Sequence, residues 1–243
     1  MTGLVTAMVA LFGIGLTTVS LIMTGRQNKV HRTAMKEDRE AAQVEKKAAI
    51  DAARSERFSR AIAHLKDDSV AIRLGALFDL KELYSHSEDD SKKLASILTS
   101  FVREHIENEQ FVLPPYLGRH RRRVDQDVYL AADILSTLFD KYGIQYNLSH
   151  LQANGISLWG IKLRGANLIQ ADLMDTGFRE ADMQNADFWD AYMREANLQD
   201  ADLRGAKHLT ALQILHCATN DTTLLDPDLH AEYDRLTTEQ SLA

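Results

Sequence analysis

The chain has 243 residues, 45% of them apolar and 26% charged, with a formal net charge of −7. That is room for one or two domains with a genuine core, plus further segments. The single cysteine, Cys217, excludes an internal disulfide framework and suits a reducing compartment. The charge is uneven: residues 26–57 hold nine basic and six acidic side chains, residues 208–243 one and six. Only the first of these segments could favour an anionic surface.

Residues 1–25 read as a transmembrane anchor. The run 3–24 carries no charge, and about 20 apolar residues span a hydrocarbon core as a helix. Arg26, Lys29, Arg32 and Lys36 follow at once. Cations on this side keep the flank inside. The expectation is therefore a single-pass protein of the inner (cytoplasmic) membrane, with its N-terminus outside and the bulk of the chain in the cytoplasm. A cleaved signal peptide is the rival, but it wants a basic segment before the apolar run, and only Met1 and Thr2 precede it. Residues 26–57 read as a helical stalk. Val30, Ala34, Ala41, Val44 and Ala48 make a thin stripe, compatible with a loose coiled coil or with a solvated helix.

Residues 58–145 read as a small helical bundle. Phe58, Ala61, Ile62 and Leu65 fit one helical face. A second face takes Val70, Leu74, Leu77, Phe78 and Leu80–Leu83, and a third takes Leu94, Ile97, Leu98, Phe101 and Val102. Ser87 to Asp90 is a helix-start cluster. The run Asp68–Leu80 resembles helical HEAT-like repeats. Pro114–Pro115 breaks the chain before a basic loop with Arg119, Arg121, Arg122 and Arg123. This loop is a candidate site for an anionic partner, phosphate or lipid headgroup, with a solvated loop as the alternative. A fourth helix follows from Val128 to Phe139. The bundle is expected to cap the open edge of what comes next.

Residues 146–207 repeat every five. AlaAsnLeu stands at 166–168 and 196–198, AlaAspLeu at 171–173 and 201–203, AlaAspMet at 181–183, AlaAspPhe at 186–188. A period of five is neither helical nor that of a simple strand, so it marks an internal repeat. Large residues recur at Leu148, Leu158, Leu163, Leu168, Leu173, Phe178, Met183, Phe188, Met193, Leu198 and Leu203, mostly with a small residue two places before. Side chains two apart on an extended chain point the same way. Each five therefore buries one small and one large group, and the chain coils around them. The pattern resembles the pentapeptide-repeat family, and similar helical segments precede the repeats in its membrane-anchored members. The resemblance implies a right-handed, four-sided β-helix with one five per side. Twelve fives from Tyr146 then make three coils, about 14 Å tall at strand spacing. Leu151, Ile156 and Ile161 widen the start, where helices are expected to dock. The register is expected to fail at His208.

Residues 208–243 read as a capping helix and an acidic tail. Thr210 to Gln213 is a capping-box pattern. Residues 219–229 resemble the extended tail that closes such proteins, and the acidic end beyond Asp228 is open to disorder. The fold class is thus α+β in several parts: transmembrane helix and stalk, bundle, β-helix, cap.

No catalytic constellation is present: no GxSxG, no P-loop, no Gly-rich dinucleotide turn. His208, His216 and Cys217 lack paired-ligand spacing. No cofactor, metal or nucleic acid is expected. The repeat Asp residues read as outward consensus, and Asp187 in particular as tolerant of change. With four fives per coil, residues 20 apart form columns. Ser149, Ile169 and Trp189 share one, and Gln152, Asp172 and Tyr192 the next. Ile169, Trp189 and Tyr192 are the candidate protein-interaction surface, unless the tail folds over them. The expected function is a non-enzymatic, membrane-anchored scaffold with an unidentified protein partner or self-association. The alternative is a DNA-mimicking regulator of a type II topoisomerase. The quinolone-resistance members of the family are long acidic rods, whereas this repeat holds nine acidic and six basic residues.

Overall fold

The computed structural model describes the backbone of residues 2–84, 87–108 and 122–242; the side chains of residues 2–22, 25, 30, 122 and 242 lie outside the described residues. The chain divides into two units, Met1–Glu56 and Arg57–Ala243. The first unit belongs to helix α1, Thr2–His64. No proline falls within it, and its last glycine is Gly25, so nothing stops the helix between the expected anchor and stalk. The described side chains from Met23 to Glu56 are all exposed, including Ala34, Ala41, Val44 and Ala48.

The expected membrane placement is corrected here. From Met23 onward α1 is polar and charged, and among the described residues no helix is long and apolar enough to cross a membrane. Most of the uncharged run 3–24 has side chains outside the described residues. The single-pass, inner-membrane location and the membrane contact through 3–24 therefore have no support.

The second unit opens with the end of α1 and adds α2 (Val70–Tyr84), α3 (Glu88–Asn108) and α4 (Gln126–Tyr142). Ala61, Leu77, Leu80, Leu94, Leu98, Val128 and Leu135 are buried between them. Phe58 meets Tyr84 edge-on, with ring centroids 5.3 Å apart. Arg57 bridges Asp79 and Glu82, each at 3.0 Å. The Ser87 hydroxyl accepts from the Asp90 N–H at 3.1 Å, capping α3 as its sequence predicts. Phe78, expected inside, is 58% exposed; at about 100° per residue it points about 100° and 160° away from the buried Leu77 and Leu80.

One charged network lies inside the bundle. Arg73 on α2 donates from Nε to the fully buried Asp127 on α4. Its Nη2 reaches Asp125 at 2.9 Å, and its Nη1 the carbonyls of Asp67 and Asp68 at 2.9 and 3.1 Å. The guanidinium thereby ties the start of α2 to the start of α4.

From Tyr146 the chain turns every five residues. The carbonyl of each large residue accepts from the N–H three places on, from Leu148–Leu151 at 3.1 Å to Leu203–Ala206 at 3.0 Å. The residue before that N–H has positive φ, the mark of a type II turn. Glycine supplies it at 155, 160, 165 and 205, but His150, Gln170, Asp175, Glu180, Asn185, Asp190, Glu195 and Asp200 also adopt it. Non-glycine residues resist this conformation; here the ladders above and below hold it. Strand β2 (Tyr146–Asn147) pairs in parallel with β4 (Ala166–Asn167), and bridges such as Gln152↔Asp172, Asp172↔Tyr192, Lys162↔Asp182 and Asp182↔Asp202 continue the 20-residue register. The walls are therefore the columns 147/167/187/207, 152/172/192, 157/177/197 and 162/182/202. Every predicted large inward residue is buried, as are Ala166, Ala171, Ala181, Ala186, Ala196 and Ala201. Thr176, in a small place, donates its hydroxyl to the Ala153 carbonyl at 2.7 Å.

The outward Asp and Asn residues have work the sequence reading did not assign. In each such five the side chain accepts from the N–H two residues on: Asn147 from Ser149 (2.9 Å), Asn167 from Ile169 (3.0 Å), Asp187 from Trp189 (3.1 Å), Asn197 from Gln199 (3.0 Å). These Asx turns pin each corner. Lys162 cannot do this, and there Ser136 of α4 accepts from the Arg164 N–H instead, at 3.2 Å.

Both ends of the coil are covered. At the lower end Arg103 of α3 donates to the carbonyls of Asn147 and Ser149 at 3.2 and 2.9 Å, where a preceding coil would have donated. Glu107 accepts from the Gln152 N–H at 3.4 Å. Strand β1 (Arg122–Arg123) pairs in parallel with β3 (Ile156–Ser157), so part of the expected basic loop is edge strand. At the upper end the coil outlasts His208. A short helix, α5 (Ala211–Ile214), replaces one wall, after which Ala218 bridges Asn197 and Leu224 bridges Asp202. The residues beyond Asp228 are not disordered: they form α6, Pro227–Leu242.

Candidate protein-interaction surface

Trp189 sits at the second place of the turn Phe188–Ala191, and two neighbours fix that turn. Asp187 accepts from the Trp189 N–H, and the same oxygen lies 2.8 Å from His208 Nδ1. The His208 ring meets the indole edge-on, with centroids 4.8 Å apart at 72°. From above, Gln213 of α5 donates to the carbonyls of Phe188 and Ala191 at 3.1 and 3.0 Å. Its oxygen accepts from the Thr210 N–H at 2.9 Å, so the capping box that starts α5 also aims Gln213 at the tryptophan turn. Trp189, Asp190, Ala191, His208, Thr210 and Gln213 line an open cleft of about 520 Å³.

The cap leaves this corner uncovered. Trp189 is 55% and Tyr192 50% exposed. The tail turns instead to Thr219, whose hydroxyl meets that of Tyr233 at 2.9 Å. Ile169, half-buried, lies one coil below Trp189, where the Gln170 N–H reaches the Trp189 carbonyl at 2.8 Å. Tyr192 holds a place that is Asp or Asn in seven other fives, and a phenol cannot form the Asx bond. The fold thus gives up a corner lock to put an aromatic ring there.

Of the candidate anionic loop only Arg122 and Arg123 fall on described backbone. Arg119 and Arg121 lie outside the described residues. Arg122 and Arg123 are in β1, and the Arg123 guanidinium lies 5.5 Å from the ring centroid of Trp159. Arg179 lies 5.7 Å from the same ring. Trp159 was missed in sequence although it stands in the same outward place as Trp189; the five-residue register was signal enough. Burial raises the Tyr129 phenol above its ordinary range, against the pull of Arg123. Cys217 donates to the Met193 carbonyl at 3.1 Å, and burial pushes its thiol up to about 12, away from the range of a reactive thiolate. Among the described residues no three His, Cys, Asp or Glu are grouped to hold a metal.

A family model described as pentapeptide repeats matches residues 147–179 and 171–207, with eight copies. Among solved structures, a pentapeptide repeat protein from the cyanobacterium Cyanothece 51142 is 25% identical over 34% of this chain and 57% of its own, with a TM-score of 0.30. One from Nostoc Pcc 7120 is 25% identical over 38% of this chain and 86% of its own, with a TM-score of 0.26. A plasmid-mediated fluoroquinolone resistance protein is 20% identical over 38% of this chain and 42% of its own, with a TM-score of 0.22. No curated protein sequence matches the chain.

Proposed function

This chain is a pentapeptide-repeat protein over residues 147–207, and from that premise we propose that its second unit is a non-enzymatic protein-interaction module whose working surface is the corner of Trp189, Tyr192 and Ile169. One observation carries the reading. On a column whose walls are otherwise mostly Asp, Asn, Gln, Arg and Lys, Trp189 and Tyr192 stand half-exposed on a turn braced by Asp187 and Gln213. Rigid aromatic anchors in exposed, pre-organised positions are what interfaces use. The helical bundle and the α5 cap serve as end-plates that keep the column from pairing with other strands.

The reading as a DNA-mimicking topoisomerase regulator has less support. Such a mimic needs a continuous acidic wall, whereas here Arg204 pairs with Asp202, Arg179 with Asp200 and Arg164 with Asp182 at 2.6, 3.1 and 3.7 Å.

The test is the double variant Trp189→Ala, Tyr192→Ala in the full chain. Chemical crosslinking in cell extract should lose its adduct while the melting temperature holds. A melting temperature far below the parent's, with adducts retained, makes the corner internal packing and overturns the proposal.

A further inference from the structure

The two tryptophans stand at equivalent places, each directly after a buried large residue, Leu158 or Phe188. Their surroundings differ. Trp159 is flanked by the guanidinium groups of Arg123 and Arg179, 5.5 and 5.7 Å from its centroid. That is within the range where a cation is drawn to an aromatic face. Arg179, one coil above, is itself held by Asp200 at 3.1 Å. Tryptophan, guanidinium and carboxylate thus form a complete set from one chain.

At Trp189 the set lacks its cation. The residue one coil below is Ile169, and the coil above gives way to α5. Among the described residues no guanidinium or ammonium lies over this indole; its ring contact is the edge of His208. The carboxylate is present: Asp190 lines the same cleft, exposed, with one oxygen taken by Gln170 Nε2 at 3.2 Å. Asp190 makes no ion pair among the described residues.

We propose that the Trp189–Asp190 cleft receives an arginine side chain of a partner protein, its guanidinium on the indole and one N–H edge on Asp190. This completes at Trp189 the arrangement the chain already builds for itself at Trp159. Arginine suits the site better than lysine, because a planar guanidinium stacks and bridges while an ammonium is a point charge. The inference rests on the reading of the second unit as an interaction module and names the chemistry of the partner.

The experiment uses the full chain with Trp159→Phe, leaving Trp189 as the sole tryptophan of the two in the sequence. Indole emission is followed while acetyl-tetra-arginine amide is added, with tetra-lysine and tetra-glutamate peptides as comparisons. The expected result is a saturable change with tetra-arginine that weakens about two- to fivefold in Asp190→Asn and falls with added salt. No saturable change, an equal response to tetra-glutamate, or undiminished binding by Asp190→Asn overturns it. So does a concentration-dependent dimer that Trp189→Ala abolishes, which would make a second copy the occupant. If tetra-arginine fails while the Trp189, Tyr192 double variant still loses its crosslinked adduct, the arginine inference falls alone and the module reading stands.

Discussion

Gly165 lies against the ring of Phe139, so closely that a Cβ at 165 would stand 2.1 Å from the ring. This contact joins α4 to the first coil. Gly155 and Gly160 share its positive φ, at 72° and 71° against 69°, but face open space. The three glycines therefore separate backbone strain from steric contact. Gly155→Ala should cost about 1–2 kcal/mol for the left-handed conformation. Gly165→Ala should cost about 1–3 kcal/mol more from overpacking. Urea unfolding measures both, and in a Phe139→Ala background the excess at 165 should vanish.

The Arg73–Asp127 pair predicts a strong asymmetry. Both side chains are nearly or wholly buried. Arg73→Met leaves the Asp127 carboxylate inside without its partner and should cost about 3–5 kcal/mol. Replacing both, as Arg73→Met with Asp127→Leu, should recover much of that loss. A single variant as stable as the parent would mean that the pair does not join α2 to α4.

The upper cap should be sensitive to acid. Asp200 accepts from the Thr222 hydroxyl and from Asn220 and pairs with Arg179, and these hold its carboxyl below the ordinary range. Arg204 lowers Asp202 in the same way. A carboxyl with a lower pKa folded than unfolded adds stability above its unfolded value, about 3.9, and loses it as pH falls through the folded value. Asp200→Asn should be less stable than the parent at pH 7, and the gap should close below about pH 4. Melts across pH check this; a gap independent of pH would contradict it.

The core register predicts opposite kinds of damage at neighbouring positions. Ala186 is fully buried beside Met183 and Phe188. Ala186→Leu should overpack the coil by about 1–3 kcal/mol. Asp187→Ala should instead cost about 1 kcal/mol through the lost acceptor for Trp189 and His208. Thermal melts with an unchanged Ala186→Leu variant would refute the assigned inside.

The β-helix was legible because its physics repeats. Each five must bury a small and a large group, so Ala181–Met183 or Ala186–Phe188 declares its own inside and outside. Four sides per coil set the columns, and these bring Ile169, Trp189 and Tyr192 to one corner. The ends were legible only in part: the Thr210–Gln213 capping box is plain in the sequence, but the contacts that seat each end are single interactions. Arg122–Arg123 has no alternation and becomes a strand only through its register with Ile156. The last coil is spaced 21 residues at Asn197↔Ala218 and 22 at Asp202↔Leu224, so it escapes a search at 20. Arg73 and Asp127 are 54 residues apart, and nothing local to either foretells the pair. The uncharged N-terminal run misled for the opposite reason: a lack of charge is a strong local pattern, yet it does not by itself place a helix in a membrane.

The most direct test of the interaction surface is photo-crosslinking from Tyr192. A benzophenone amino acid is placed at 192 in the full chain, and at Gln199 on another corner as the comparison. On irradiation in cells, the account predicts a discrete protein adduct from 192 and none from 199. No adduct from 192, or the same adducts from both positions, would contradict it.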